Sequence, residues 1–200
     1  MTSLETALRQ ICADLAQTGH SFALVGGLAV SARTEPRFTR DADIAVAVSG
    51  DTEAEALIRT LRGAGYEIEA IVEQEAVGRL ATARLTRYQE PAGPVIDLLF
   101  ASSGIEPEIV AEADDIELLP QLRVRVAATG HLIALKVLAR DDVTRPQDAG
   151  DLRALLLIAS AVDVNRARSA LRLIADRGYH RGRDLRTELE KLLRAHHEPH

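Results

Sequence analysis

Apolar residues at Leu4, Leu8, Ile11 and Leu15 recur at the three-to-four spacing that gathers them on one side of a helix. The spacing predicts a helix over 4–18, entered through Thr2 with Glu5 three residues on as a capping box. Phe22-Ala23-Leu24-Val25 is an unbroken apolar run too short for a helix and reads as a buried strand. Gly26-Gly27 ends it and opens a helix-like stretch over 28–32. The apolar run 44–48 then continues a strand whose polar beginning is Asp41-Ala42-Asp43. A helix over 52–64 closes on Gly65, and strand patterns follow over 66–72, 80–88 and 95–100, with Pro91 to Pro94 as the turn between the last two. A short helix over 107–113 and a strand over 122–126 precede a change to helical period that lasts to the C terminus. The pattern is that of an α/β (α+β) chain, with a core over 1–127 and a helical subdomain over 128–200.

Two hundred residues suffice to bury such a core. Aromatics make up only 3% and Trp is absent, so the interior must be built from Ala, Leu, Ile and Val. No run of about twenty apolar residues is present to cross a membrane, and the first residues lack the basic and apolar pattern of a signal peptide. A cytoplasmic protein without a membrane partner is expected. Cys12 is the single cysteine; it excludes an internal disulfide and belongs to the packed side of the first helix. A net charge of −6 weighs against an extensive nucleic-acid surface, which needs a concentrated positive field. The arginines are nevertheless clustered, at Arg33, Arg37 and Arg40, at Arg79, Arg84 and Arg87, and over 166–186, while acids crowd 51–75 and 106–117. Opposite faces can therefore carry opposite signs.

The candidate chemistry lies where the glycine pair and the second strand meet. On an extended chain side chains alternate, so Arg37, Thr39, Asp41 and Asp43 share one side while Ala42 and Ile44 point to the other. Same-side neighbours sit about 7 Å apart, and carboxylates that close raise each other's pKa unless a cation lies between them. A divalent ion held by carboxylate oxygens, with its other positions left to water and phosphates, describes a Mg²⁺ site that Mn²⁺ can also fill. Gly26 and Gly27, between a strand and a helix, let the backbone approach a phosphate, and the helix N-terminus supplies N–H donors. Asp97 stands in an apolar strand where an unpaired carboxylate is costly to bury. It is either an edge acid, an arginine's partner, or a third acid beside Asp41 and Asp43. Lys136 is the only cation in the apolar body 132–139, and either snorkels to water or serves a site. Asp148 and Asp151 lie three apart, on one side of a helix begun by Pro146.

These residues resemble a known fingerprint. Val25-Gly26-Gly27-Leu28-Ala29-Val30, then Arg37-x-Thr39-x-Asp41-x-Asp43, is similar to the motif of the polymerase-beta-type nucleotidyltransferase superfamily, and within it to the AbiEii/AbiGii type of toxin nucleotidyltransferase. Many superfamily members carry Ser at the place of Gly27, so a hydroxyl contact to phosphate is missing here. The lysine followed by Arg145-x-x-Asp148-x-x-Asp151-Leu152 is also like the toxin type. The resemblance implies a nucleotidyltransferase fold with a mixed central sheet flanked by helices. It implies that Asp41, Asp43 and Asp97 share the metals, with Asp97 alternatively a base toward the acceptor. It further implies that Gly26, Gly27, Arg37, Thr39 and Lys136 contact the nucleotide, and that one acid of the later pair, Asp151 in preference to Asp148, completes the active site.

The activity so implied is Mg²⁺-dependent transfer of a nucleoside monophosphate from an NTP to an acceptor hydroxyl, by a toxin acting on the acceptor end of tRNA and paired with an antitoxin protein. The same core would serve an enzyme with a small-molecule (antibiotic) or protein acceptor. A third possibility is a non-catalytic binding protein built on the fold. Convergence of Arg33, Arg40, Arg79, Arg84 and the late arginines beside the carboxylates is what an RNA acceptor demands.

Overall fold

The computed structural model describes residues 3–36, 39–88, 93–140 and 146–197. Its elements, in chain order, are α1 (Ser3–Thr18), β1 (Phe22–Val25), α2 (Gly26–Arg33), β2 (Asp41–Val46), α3 (Asp51–Gly63), β3 (Tyr66–Gln74), β4 (Arg79–Arg87), β5 (Val95–Leu99), α4 (Glu106–Ala111), β6 (Asp114–Leu119), β7 (Leu122–Val126), α5 (Thr129–Ala139), α6 (Pro146–Ile158), α7 (Ala161–Asp176) and α8 (Leu185–His197). The expected capping residue Thr2, the motif residue Arg37, Pro91 in the expected turn and Arg145 lie outside the described residues.

The seven strands form one mixed sheet in the order β3-β4-β5-β2-β1-β7-β6. Pairs β2/β5 and β1/β7 are parallel; β1/β2, β3/β4, β4/β5 and β6/β7 are antiparallel. β2 is central and begins with the two acids. Leu8, Ile11 and Leu15 of α1 and Leu57 and Leu61 of α3 are fully buried and join the strand residues Leu24, Ile44, Ile96 and Leu98 in one aliphatic cluster. That cluster continues beyond Ala127 through Leu132, Ile133 and Val137 of α5 to Leu155, Leu171 and Leu189 of α6, α7 and α8. Cys12 belongs to it, and burial pushes its thiol up to about 12, which keeps it protonated and inert. Among the described residues no helix is long and apolar enough to cross a membrane.

The structure moves some of the expected boundaries. α2 begins at Gly26, so both glycines lie in its first turn rather than in a loop before it. α3 ends at Gly63 with Ala64 as its cap, and Gly65, at φ +93°, makes the reversal into β3. β6 was not expected from the sequence. Its Asp114, Asp115 and Glu117 look like a charged loop, yet the strand lies at the sheet's edge, where acids can face water. The long C-terminal helical period resolves into four helices. The break before α7 is a capping box, with Ser160 Oγ accepting from the Asp163 N–H and the Asp163 carboxylate accepting from the Ser160 N–H.

Candidate functional site

Register draws a row of side chains across three adjacent strands. In the parallel pair β2/β5, Asp43 stands opposite Asp97; in the antiparallel pair β4/β5, Asp97 stands opposite Arg84. Residues opposite one another share a face, so Arg84, Asp97 and Asp43 line up on one side of the sheet. Asp41, two residues before Asp43, is on that side and exposed. The alternate positions Ala42, Ile44, Ile96 and Leu98 are buried in the core. Val25, the last residue of β1, stands opposite Asp43 on its other flank, and the chain turns there into α2.

That turn requires glycine. Gly26 has φ +64°, a left-handed conformation costly for a residue with a side chain, and a Cβ built on it would come within 1.8 Å of Asp43 Oδ2. The Gly27 N–H donates to the Asp43 carboxylate. One of the two backbone donors expected to face phosphate thus already holds an acid. Asp43 lies under the N-terminus of α2, where the positive end of the helix favours negative charge. It is still an uncomfortable carboxylate. Burial, then Asp97, then Asp41 raise its pKa from 3.8 to about 6, against the opposing pull of Lys136 and the Gly27 N–H.

Asp97 is settled differently. Arg84 grips it with both arms of the guanidinium, Nε at 2.9 Å from Oδ1 and Nη2 at 2.8 Å from Oδ2. Of the open readings for this acid, it has the arginine partner. Among the described residues no three His, Cys, Asp or Glu side chains converge as they stand on one metal position. Thr39, two residues before β2, donates its hydroxyl to the Asp41 carbonyl at 3.4 Å.

The second cluster comes from the helices. Lys136 of α5 is nearly buried, and its Nζ lies 2.6 Å from Asp148 Oδ1 and 2.7 Å from Asp151 Oδ2, both on α6. The lysine does not snorkel to water, and the two acids share it. Asp148 Oδ2 is buried without a hydrogen-bond partner among the described residues. Asp151 also lines a cleft of about 700 Å³ between α2 and α6, with Val30, Arg33, Gln147 and Ala154. Lys136 sits close enough to the strand acids for its charge to lower the Asp43 pKa. The chain therefore brings Gly26, Gly27, Asp41, Asp43, Asp97 and Lys136 into one region and carries Asp148 and Asp151 with the lysine.

Five of the candidate arginines are paired away from the strand acids. Arg33 binds Asp114 and the carbonyls of Val126 and Ala127; Arg79 binds Asp51; Arg166 binds Glu112; Arg168 binds Glu190; Arg177 binds Glu108. Arg84 stands beside the strand acids, bound to Asp97. Its partnership is a matter of register between strands thirteen residues apart, which no local pattern in the sequence carries.

Comparison with known proteins fits this geometry. Residues 7–199 match the family model of the nucleotidyl transferase AbiEii toxin, Type IV TA system. Among solved structures, ANT(2")-Ia in complex with adenylyl-2"-tobramycin is similar at 19% identity and TM-score 0.55, over 86% of this chain and 98% of that one. An antigenic nucleotidyltransferase-like protein from Paracoccidioides brasiliensis is similar at 18% identity and TM-score 0.53, over 94% and 92%. The lincosamide antibiotic adenylyltransferase LnuA, lincomycin-bound, is similar at 16% identity and TM-score 0.50, over 78% and 98%. These likenesses concern the fold. A comparison with curated proteins finds no match. Matched along nearly its whole length, with the glycine turn and paired strand acids together at the centre of the sheet, the chain belongs to the AbiEii nucleotidyl transferase toxin family and is a nucleotidyltransferase.

Proposed function

We propose that this chain transfers a nucleoside monophosphate from a nucleoside triphosphate to an acceptor hydroxyl, with Mg²⁺ or Mn²⁺ as cofactor and pyrophosphate as the second product. We propose further that it is the toxin of a toxin–antitoxin pair acting on the acceptor end of tRNA, a reading supported by its family. The observation that carries the chemistry is Asp43, a carboxylate crowded by Asp41 and Asp97 and held under a glycine turn that leaves no space for a Cβ.

The donor set fits a hard divalent ion: Asp41 and Asp43 offer carboxylate oxygens from one face of one strand, and their mutual repulsion is what a cation would relieve. Bound there, the ion would offset the polyphosphate's charge while the α-phosphoryl passes between oxygens. The protein's own share is positional. The Gly27 N–H and the absent Cβ of Gly26 hold Asp43 in place, and the first turn of α2 directs its positive end toward the phosphates. Lys136 contributes positive charge opposite the strand acids, with Asp148 and Asp151 fixing its ammonium. Both acids hold the lysine, and Asp151, which also faces the α2/α6 cleft, is the one we place beside substrate. Thr39 and Arg37 are assigned to the phosphates. Asp97, fixed by Arg84, orients the acceptor hydroxyl. In this division the core 1–127 supplies the strand acids and the segment 128–200 supplies Lys136 and Asp151.

The pairing of the arginines favours a second reading of the acceptor. An RNA end needs free positive charge around the site, and five of the candidate arginines, Arg33, Arg79, Arg166, Arg168 and Arg177, are paired with acids elsewhere. A small hydroxylated acceptor needs no such field. Incubation with each labelled NTP, Mg²⁺ and total tRNA, followed by separation of RNA, protein and small molecules, tests both. Label in tRNA that disappears in Asp41→Asn supports the toxin reading. Label absent from every acceptor and no Mg²⁺-dependent pyrophosphate release would reject nucleotidyl transfer by these residues.

A further inference from the structure

We propose that Arg84 receives the last phosphodiester of an RNA acceptor on the guanidinium edge that Asp97 leaves open. The inference rests on the reading of Asp97 as the acid that orients the acceptor hydroxyl, and gives a role to a residue outside the glycine, Asp-x-Asp and lysine motifs.

An arginine side chain carries five N–H donors. Two of them, one on Nε and one on Nη2, are given to Asp97 at 2.9 Å and 2.8 Å. The edge formed by Nη1 and the other hydrogen of Nη2 has no hydrogen-bond partner among the described residues. The Arg84 side chain is 48% exposed against 13% for Asp97, so the arginine meets solvent while the carboxylate is fixed in the sheet. Pairing on one side also holds the guanidinium plane still, which lowers the cost of ordering it around a second oxyanion. Such a fork matches the two free oxygens of a phosphodiester.

Position supplies the class of ligand. The row of opposed residues runs outward from Asp43 to Asp97 to Arg84 and ends, on β3, at Ala70. Ala70 is exposed and has only a methyl group, so the row sets no acid against the open edge. Glu69 beside it is exposed; its charge is felt at Arg84, yet it makes no ion pair there among the described residues. One strand spacing, about 5 Å, separates the acid that orients the hydroxyl from the arginine. In an RNA end the ribose spans a similar gap, from the terminal hydroxyl to the phosphate on the other side of the same sugar. A strand of RNA entering over β3 and β4 thus brings its hydroxyl to Asp97 when its last phosphate reaches Arg84. A small hydroxylated acceptor without that phosphate makes no use of the open edge.

A change in the protein is paired with a change in the RNA. The acceptor is the tRNA that takes up label from NTP and Mg²⁺, prepared with its natural last phosphodiester and with an uncharged methylphosphonate at that one linkage. In wild type the neutral linkage is expected to raise KM for tRNA about tenfold, with KM for the NTP unchanged. Arg84→Gln is expected to raise KM for natural tRNA by a similar factor and to be indifferent to the neutral linkage, because the two changes remove the same contact. Ala70→Glu keeps the pair of Arg84 with Asp97 and sets a carboxylate against the open edge. It should raise KM for natural tRNA and leave KM for the neutral form near that of wild type with the same RNA. A fall in kcat alone, equal for both tRNAs, is what a merely structural arginine gives, and it overturns the proposal. So do additive effects of Arg84→Gln and the neutral linkage in protein shown by thermal melting to be folded. Pyrophosphate release with Mg²⁺ but no tRNA labelled by wild type overturns the proposal and leaves nucleotidyl transfer standing, whereas no release at all removes both.

Discussion

Two groups of acids face each other across this site, and they are neutralised in opposite ways. Asp148 and Asp151 on α6 share the ammonium of Lys136, a buried and nearly balanced cluster that ties α5 to α6. Asp41 and Asp43 on β2 have each other, Asp97 beside them, and a lysine near enough to be felt. The helix group is quenched by the chain's own cation. The strand group is left short of one. Buried charges that are paired build architecture, whereas a buried carboxylate left crowded by its own kind costs stability and is kept where something outside the chain supplies the balance. The two groups also differ in backbone, since the glycine turn packs against Asp43 and leaves no room there for a Cβ.

Substituting Asp43 should break the comparison most sharply. Asp43→Asn is expected to lower nucleotidyl transfer by about 10³-fold, since one ligand of the ion that offsets the polyphosphate is lost. Its stability should move the other way. The carboxyl is held at about 6 against 3.8, so the folded chain retains a proton that the unfolded chain releases. Metal-free wild type should therefore lose stability as pH rises from about 4 to about 6 and remain lowered above that, by at most about 3 kcal/mol. Urea titrations of wild type and Asp43→Asn across that range check the sign. The variant should show a flatter profile and a higher midpoint at pH 7. A less stable Asp43→Asn at pH 7 without metal would mean that the strand acids are structural after all.

The helix group should behave as its mirror image. Lys136→Met leaves two buried acids without their cation and is expected to destabilise by about 3–5 kcal/mol, as for other broken buried pairs. Asp148→Asn and Asp151→Asn separate the partners. If Asp151 is the acid beside substrate, its amide variant should lose turnover out of proportion to its loss of stability, while Asp148→Asn should lose both together. Equal behaviour of the two in a comparison of kcat with melting temperature would place neither at the substrate.

Gly26→Ala sharpens the comparison from the backbone. The new methyl group meets Asp43 Oδ2 and must also adopt φ +64°. A cost of about 2 kcal/mol is expected from the strained conformation and displaced carboxylate, with turnover falling further than the melting temperature suggests. Combining Gly26→Ala with Asp43→Asn should recover little activity, while the two stability effects should fail to add, because they act on the same atoms.

What was legible in the sequence follows the range of the interactions. Asp41 and Asp43 share a face because of a two-residue period within one strand, and the glycine turn is adjacent in sequence to the strand that carries it. Lys136 was conspicuous as the one cation in an apolar helix, and Asp148 and Asp151 as a pair on one helical side. Each of these signals spans a few residues. Arg84 and Asp97 meet only because β4 and β5 pair in one particular register, and nothing near either residue encodes that register. β6 was hidden for a related reason. An edge strand need not alternate apolar and polar residues, so Asp114 and Asp115 disguised it as a loop. The start of α7 was readable in principle from Ser160-x-x-Asp163, a local capping pattern inside a longer helical period.

His131 offers the smallest test and a control on the same helix as Lys136. It is buried in the first turn of α5, and burial, helped by Arg166, holds its pKa below 6.5 against the pull of Glu112 and Glu108. The folded chain thus keeps the imidazole neutral while the unfolded chain takes up a proton. Stability from this group is present above the ordinary histidine range and is lost as pH falls through it, the acid side opposite to that of Asp43. His131→Phe should change stability at pH 8 by less than about 1 kcal/mol and flatten the decline below pH 6.5. Its turnover should be unaltered, because Asp163 and Arg166 of α7 pack at this end of α5, one turn and more before Lys136. A drop in turnover without a stability change would extend the site along α5, past the lysine cluster. An unchanged acid limb would show that the histidine is not buried in the way that sets it apart from the strand acids.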